Sequence, residues 1–170
     1  MKAKNNTITK LAITALMAAL IMSTTITIRI PIPATGGYVN LGDSAIYIAA
    51  YLLGGPLGGI AAAIGSSLAD LSGGYVNFAL PTFVIKGIMG LVTGLICKRT
   101  HSISKYLIAS TVGGAIMVLG YFLSLVIVSS TKTAIAGLLG DSIQYLAGVI
   151  AAIVLFPAAK RISAELDKKI

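Results

Sequence analysis

The chain has 170 residues, 56% of them hydrophobic and 11% charged, with a net charge of +8 and a mean hydropathy of +0.95. That composition excludes a water-soluble enzyme and defines a polytopic membrane protein, an all-α bundle built from one integral domain over residues 1–170. The length allows six spans of about 20 residues with short connections and no large domain outside the bilayer.

The first apolar run predicts a span over 8–28, retained rather than cleaved because its basic head leads into a helix of full length. Ala12, Ala15 and Ala19 recur on one side of it, a smooth strip that lets another helix approach closely in lipid or packs inside the bundle. Pro31, Pro33 and the Gly36-Gly37 pair then read as loop as far as Asp43. A short apolar stretch over 41–53 follows, with Asp43 placed as its helix N-cap. Gly54-Gly55-Pro56 makes a sharp turn, and Pro56 suits the first position of a third helix over 56–71. Both helices are short for a hydrocarbon core of about 30 Å, so they are expected to tilt or to be sheltered by neighbours.

The fourth span, 79–97 with its helix opening at Pro81, carries Lys86 nearly two turns inside. An ammonium at the bilayer centre costs on the order of 2.5–3.5 kcal/mol even on lenient insertion scales, so Lys86 either faces protein and water or snorkels to the near interface. Gly90 and Gly94 form a close-packing pair. KRTHSISK, residues 98–105, is the longest basic connector, and in it His101 is expected to be solvated. The fifth span covers 106–128. The sixth, 137–159, has a possible fresh start at Asp141, because Asp141 and Gln144 match a capping box. A charged tail completes the chain.

With six spans, one side receives Lys2, Lys4, Lys10, Lys98, Arg99, Lys105, Lys160, Arg161, Lys168 and Lys169, and the other only Arg29 and Lys132. The positive-inside bias assigns both termini to the cytoplasm. The basic residues thus report topology and not nucleic acid. On this topology the polar groups of the bundle gather toward the outer mouth. Thr82 and Lys86 share a face of the fourth helix, with Asn77 on the loop rim. Tyr121 follows Gly114 and Met117 on the fifth, and Asp141, Gln144 and Tyr145 lie on the sixth. Lys86 then pairs with Asp141 or Asp70, or meets an anionic or carbonyl group of a ligand. For Asp141 helix capping, and for Tyr121 and Tyr145 interfacial anchoring, remain open as alternatives. Donors, acceptors and rings around a cavity suit a small polar ring compound.

Catalytic signatures are missing: no His-Glu-x-x-His helix, no serine–histidine pair, no phosphate loop. Cys97 stands alone and His101 is the single histidine, so no metal set can be assembled and no cofactor is expected on this chain.

The ordered set Gly37-Tyr38-Val39-Asn40-Leu41-Gly42-Asp43, Gly54-Gly55-Pro56-Leu57-Gly58, Gly65-Ser66, Ala69-Asp70, Gly74-Tyr75, Pro81-Thr82 and Ile85-Lys86-Gly87 resembles the S components of energy-coupling factor (ECF) vitamin transporters, close to the riboflavin group. The resemblance runs by motif over the first 60% or so of the chain and by span number beyond it. It implies a multi-pass subunit in the plasma membrane of a prokaryote that captures a vitamin or precursor at the outer face. It also implies a transmembrane coupling subunit and two cytoplasmic ATPases as partners, ATP being used by them. In the family an alanine face of the first helix docks on the coupling subunit, which matches Ala15 and Ala19. The pocket is built from the outer halves of helices four to six and closed by outer loops. That frame adds Tyr38, Asn40 and Tyr75 to Asn77, Thr82, Lys86, Tyr121, Asp141, Gln144 and Tyr145 as expected ligand-binding residues. A pyridoxine-like or hydroxymethylpyrimidine-like ring is favoured over pantothenate or riboflavin, because the chain has no Trp and only four Phe to stack a flavin. The competing readings are a stand-alone carrier driven by an ion gradient and a structural protein whose glycine faces only pack helices.

Overall fold

The structure is a computed structural model that describes the backbone of residues 2–167 and the side chains of residues 7–166. It is built of α1 (Lys2–Thr27), β1 (Arg29–Ile32), β2 (Gly37–Asn40), α2 (Gly42–Leu53), α3 (Gly55–Ser72), α4 (Val76–Cys97), α5 (Ile103–Val128) and α6 (Thr131–Asp167). Thr7–Thr27, Val76–Cys97, Ile103–Val128 and Thr131–Leu166 are long and apolar enough to cross a membrane. Of the six helices expected, four are long and apolar and α2 and α3 are the two shorter ones, as their sequences imply. The short α2 is sheltered: ten of its twelve residues are buried, including Ile46, Tyr47 and Tyr51. Around it the other helices turn large apolar residues outward, such as Leu16, Leu80, Ile127 and Val154, as lipid in place of water would favour.

Small residues set how closely the helices approach. Gly54 takes a left-handed φ of +84° between α2 and α3, a conformation that costs glycine little. A Cβ added at Gly94 would stand 2.5 Å from the backbone of Gly54 and Gly55, and one at Gly90 would stand 2.8 Å from the Gly58 carbonyl oxygen. The glycines of α4 thus lie directly on those of α3, backbone against backbone. Likewise a Cβ at Gly65 would stand 2.4 Å from the Ala18 carbonyl oxygen, which seats α3 on α1. On α1 the inward line is Thr14, Met17, Ala18, Ile21 and Thr25, so Ala12, Ala15 and Ala19 lie on the opposite, exposed side.

Three local expectations are corrected. The stretch from Arg29 to Asn40 is an antiparallel hairpin and not loop, with Arg29 opposite Asn40 and Ile32 opposite Gly37. Its turn is closed by the Thr35 and Gly36 amides, both donating to the Ile32 carbonyl at 3.1 Å, with Gly36 at φ +67°. Pro31 and Pro33 are tolerated because a two-stranded ribbon leaves N–H positions unpaired. Helix α4 begins at Val76, which places Asn77 in its first turn and Pro81 in the second, where the ring removes the N–H that would have bonded the Asn77 carbonyl. Helix α6 runs unbroken from Thr131, so Asp141 and Gln144 sit mid-helix and cap nothing.

Lys10, Lys98 and Arg99 come together with Leu166 around a cleft at one end of the molecule. The hairpin is at the other end of α1 and α4. Lys168, Lys169 and the side chains of Lys2 and Lys4, which entered the charge count, lie outside the described residues.

Replacing Gly94 by leucine should drive α4 off the Gly54–Gly55 turn, at a cost of at least about 1–3 kcal/mol from overpacking. Thermal unfolding in detergent should show it strongly destabilised, whereas Gly87→Ala, whose Cβ meets Ala63 Cβ at 3.3 Å and the Gly59 carbonyl oxygen at 3.8 Å, should stay near wild type. Equal melting temperatures would refute the glycine seam.

Candidate functional site

Beneath the hairpin lies a cavity with about 570 Å³ of empty space, counting the part open to solvent. Its walls come from the hairpin (Ile32, Thr35, Gly37, Tyr38, Asn40), α3 (Ser66, Asp70), α4 (Phe78, Thr82, Lys86), α5 (Tyr121, Leu125) and α6 (Gly137, Asp141, Gln144). Distant parts of the sequence meet here because α2 holds the centre of the bundle and the hairpin folds across the ends of its neighbours.

Lys86 is organised from below. Its ammonium forms an ion pair with Asp43, and the two side chains are 3% and 1% exposed. The second carboxylate oxygen, Oδ2, accepts Nε2–H of Gln144 at 2.9 Å. Gln144 Oε1 in turn accepts the Asn40 backbone N–H at 2.8 Å and its side-chain Nδ2–H at 3.1 Å. Asn40 Oδ1 takes the Gly42 amide at 2.8 Å. One chain of hydrogen bonds thus ties β2, α2, α4 and α6 together, and buried charges are tolerable where every lone pair is matched in this way. Lys86 Nζ also lies 5.5 Å from the centre of the Tyr121 ring, within cation–π range. The Tyr121 and Thr82 hydroxyls are 2.8 Å apart.

A second cluster fastens the rim. Tyr38 donates its hydroxyl to Asp70 Oδ1. The Arg29 guanidinium lies 4.4 Å from the Tyr38 ring centre and 5.2 Å from that of Tyr75, and its Nη2 donates to the Ala69 carbonyl at 3.0 Å. The Tyr38 and Tyr75 rings themselves are 4.5 Å apart. Burial first, then the neighbouring carboxylate, holds the Tyr38 phenol well above its ordinary range, so it remains a donor.

Of the residues expected from the sequence, Tyr38, Asn40, Thr82, Lys86, Tyr121, Asp141 and Gln144 line this cavity. Tyr75 stands behind Tyr38 as a stacking partner. Two are elsewhere. Asn77 is exposed on the outside of α4, and Tyr145 turns inward against Gly114 and the core. The partner expected for Lys86 was Asp141 or Asp70; it is Asp43, which had been assigned to capping. Leu41 is the N-cap of α2, with no side-chain cap bond. The signal that would have found Asp43 is the apolarity of α2 itself: a helix with no polar side is enclosed on all sides, and a carboxylate in its first turn needs a buried cation. Asp70, expected only as a partner for Lys86, also lines the cavity, as do Ser66, Thr35 and Phe78, which were not proposed as ligand-binding.

The fold and its cavity define a multi-pass membrane protein with a polar-lined cavity near one end. The family model for the ECF-type riboflavin transporter S component matches residues 5–161, and the chain belongs to this family. It is accordingly a substrate-binding transporter subunit of the vitamin class, and not an enzyme. It is 30% identical over 158 residues, 92% of this chain and 91% of the relative, to the thiamine precursor transporter HmpT of Lactococcus lactis subsp. cremoris (strain MG1363). It is 41% identical over 127 residues, 75% of this chain and 85% of the relative, to an uncharacterized protein of Pyrococcus woesei.

Removing one member of the buried pair should be costly. Lys86→Met should lower stability by about 3–5 kcal/mol, since it leaves Asp43 charged and enclosed. Lys86→Met combined with Asp43→Leu should recover much of that loss. A double-mutant cycle by thermal unfolding checks it, and additive effects would show that the pair is not coupled.

Proposed function

We propose that this chain captures a hydroxymethylpyrimidine-like or pyridoxine-like ring at the outer face of the cell membrane and delivers it for ATP-driven uptake. The observation that carries the reading is the cavity under the hairpin, into which β2, α3, α4, α5 and α6 all bring hydrogen-bonding groups, with Asn40, Gln144 and Lys86 held by one buried network. Membership of the S-component family supports a transmembrane coupling subunit and two cytoplasmic ATPases as partners, ATP being hydrolysed on them. The kinship with a thiamine precursor transporter favours the pyrimidine over pantothenate or riboflavin. Phe78, Tyr38 and Tyr121 are the rings on the cavity wall, enough to sandwich one small heterocycle.

The cytoplasmic placement of both termini is supported by Lys10, Lys98 and Arg99 meeting at the end away from the cavity. The exposed strip Ala12, Ala15 and Ala19 is the docking face we assign to the coupling subunit.

Mass spectrometry of the protein purified in mild detergent should find a pyrimidine or pyridine bound at near one per chain. Recovery of lipid alone would overturn the reading. In vesicles containing the coupling subunit and ATPases, Ala15→Trp should abolish uptake and leave ligand affinity within about twofold of wild type. Uptake that persists without any ATPase would instead identify a stand-alone carrier.

A further inference from the structure

The charges around the cavity do not balance, and the imbalance describes the ligand. Three carboxylates stand at or beside it: Asp43, Asp70 and Asp141. Asp43 is fully engaged by Lys86 and Gln144. Asp70 is only 2% exposed; Oδ1 takes the Tyr38 hydroxyl, while Oδ2 is buried with no hydrogen-bond donor. Asp141 lines the cavity half-buried and makes no hydrogen bond or ion pair with any described residue. Against these stand two cations. Lys86 is spent on Asp43, and Arg29 lies on the Tyr38 and Tyr75 rings beside Asp70. Even with Arg29 set wholly against Asp70, one carboxylate is left over, and it faces the empty space.

Resting on the vitamin-capture reading above, we propose that Asp141 is the specificity-determining residue of this site. It accepts an N–H of the exocyclic amino group of an aminopyrimidine-type ligand, and the cavity rejects vitamins that carry a carboxylate or phosphate. An exocyclic amino N–H donated to a carboxylate makes a charge-assisted hydrogen bond, roughly twice as strong as a neutral one. An anionic group finds no free cation, because Lys86 is already paired and almost wholly enclosed. It would also sit against an unpaired carboxylate in a medium that screens poorly. The site thus discriminates by repulsion as well as by attraction.

The test is calorimetric titration of the purified full-length chain with 4-amino-5-hydroxymethyl-2-methylpyrimidine, its monophosphate ester, pyridoxine, pantothenate and riboflavin. The free aminopyrimidine should bind at least 100-fold more tightly than the ester or pantothenate. Asp141→Asn should cost at least tenfold in aminopyrimidine affinity and narrow its lead over the ester. Asp141→Glu should restore part of the affinity. Melting temperatures of both variants near wild type would show that folding is intact. Tight binding of the ester or pantothenate, or an affinity order unchanged by Asp141→Asn, overturns the proposal. A clear preference for riboflavin leaves vitamin capture standing and overturns the aminopyrimidine assignment. If none of the five compounds binds, both readings fall together.

Discussion

A single ammonium buried among helices dictates much of this architecture. Lys86 has no route to water through its own stem, so a carboxylate must be brought to it, and Asp43 arrives on a different helix. The desolvation cost of two charges makes such a pair a poor source of stability in itself. What it supplies is placement: any packing of α2 against α4 that parts Asp43 from Lys86 leaves two buried charges unpaired. Gln144 and Asn40 extend that constraint to α6 and to the hairpin. The cavity above the pair is therefore walled by elements whose relative positions are fixed by one polar network.

The glycine seams serve the same end by other means. Lipid gives no hydrophobic drive for helix association, so close approach must be gained from van der Waals contact between backbones. Gly90 and Gly94 on α4, lying over Gly54, Gly55 and Gly58, gain it. Once α3 and α4 are locked along this seam, Asp70 and Thr82 are held beside each other on the cavity wall. Packing at one end of the helix pair thus positions cavity-lining groups at the other.

Much of this was legible in the residues, because lipid imposes strict rules. The apolar runs, the Gly54–Gly55 turn, the close-packing glycines and a polar cavity around Lys86 all follow from them. The family motif added Tyr38 and Asn40, which line the cavity. Other features were hidden for definite reasons. Two strands of four residues containing two prolines leave no alternating pattern, so the hairpin read as loop. The capping-box spacing at Asp141 and Gln144 was real, but neighbouring helices satisfied those side chains or left them facing the cavity, and α6 ran on through them. Asn77 and Tyr145 had the right depth and the wrong azimuth, and depth is all that span-counting supplies. The choice of Asp43 over Asp70 and Asp141 as partner of Lys86 depended on how helices pack sideways, which no one-dimensional pattern records.

The brevity of α2 bears on how the chain is made. Twelve residues at about 1.5 Å each give some 18 Å of helix, well short of the roughly 30 Å hydrocarbon layer. A segment of that size, carrying Asp43 at its head, has no stable berth in a bilayer while it emerges alone from the ribosome. It must wait for α3, and for Lys86 one helix later, before its acid is neutralised. Biogenesis of this subunit is then governed by the middle of the chain: α1 can be threaded early, but the centre of the molecule is settled only after α4 has been synthesised.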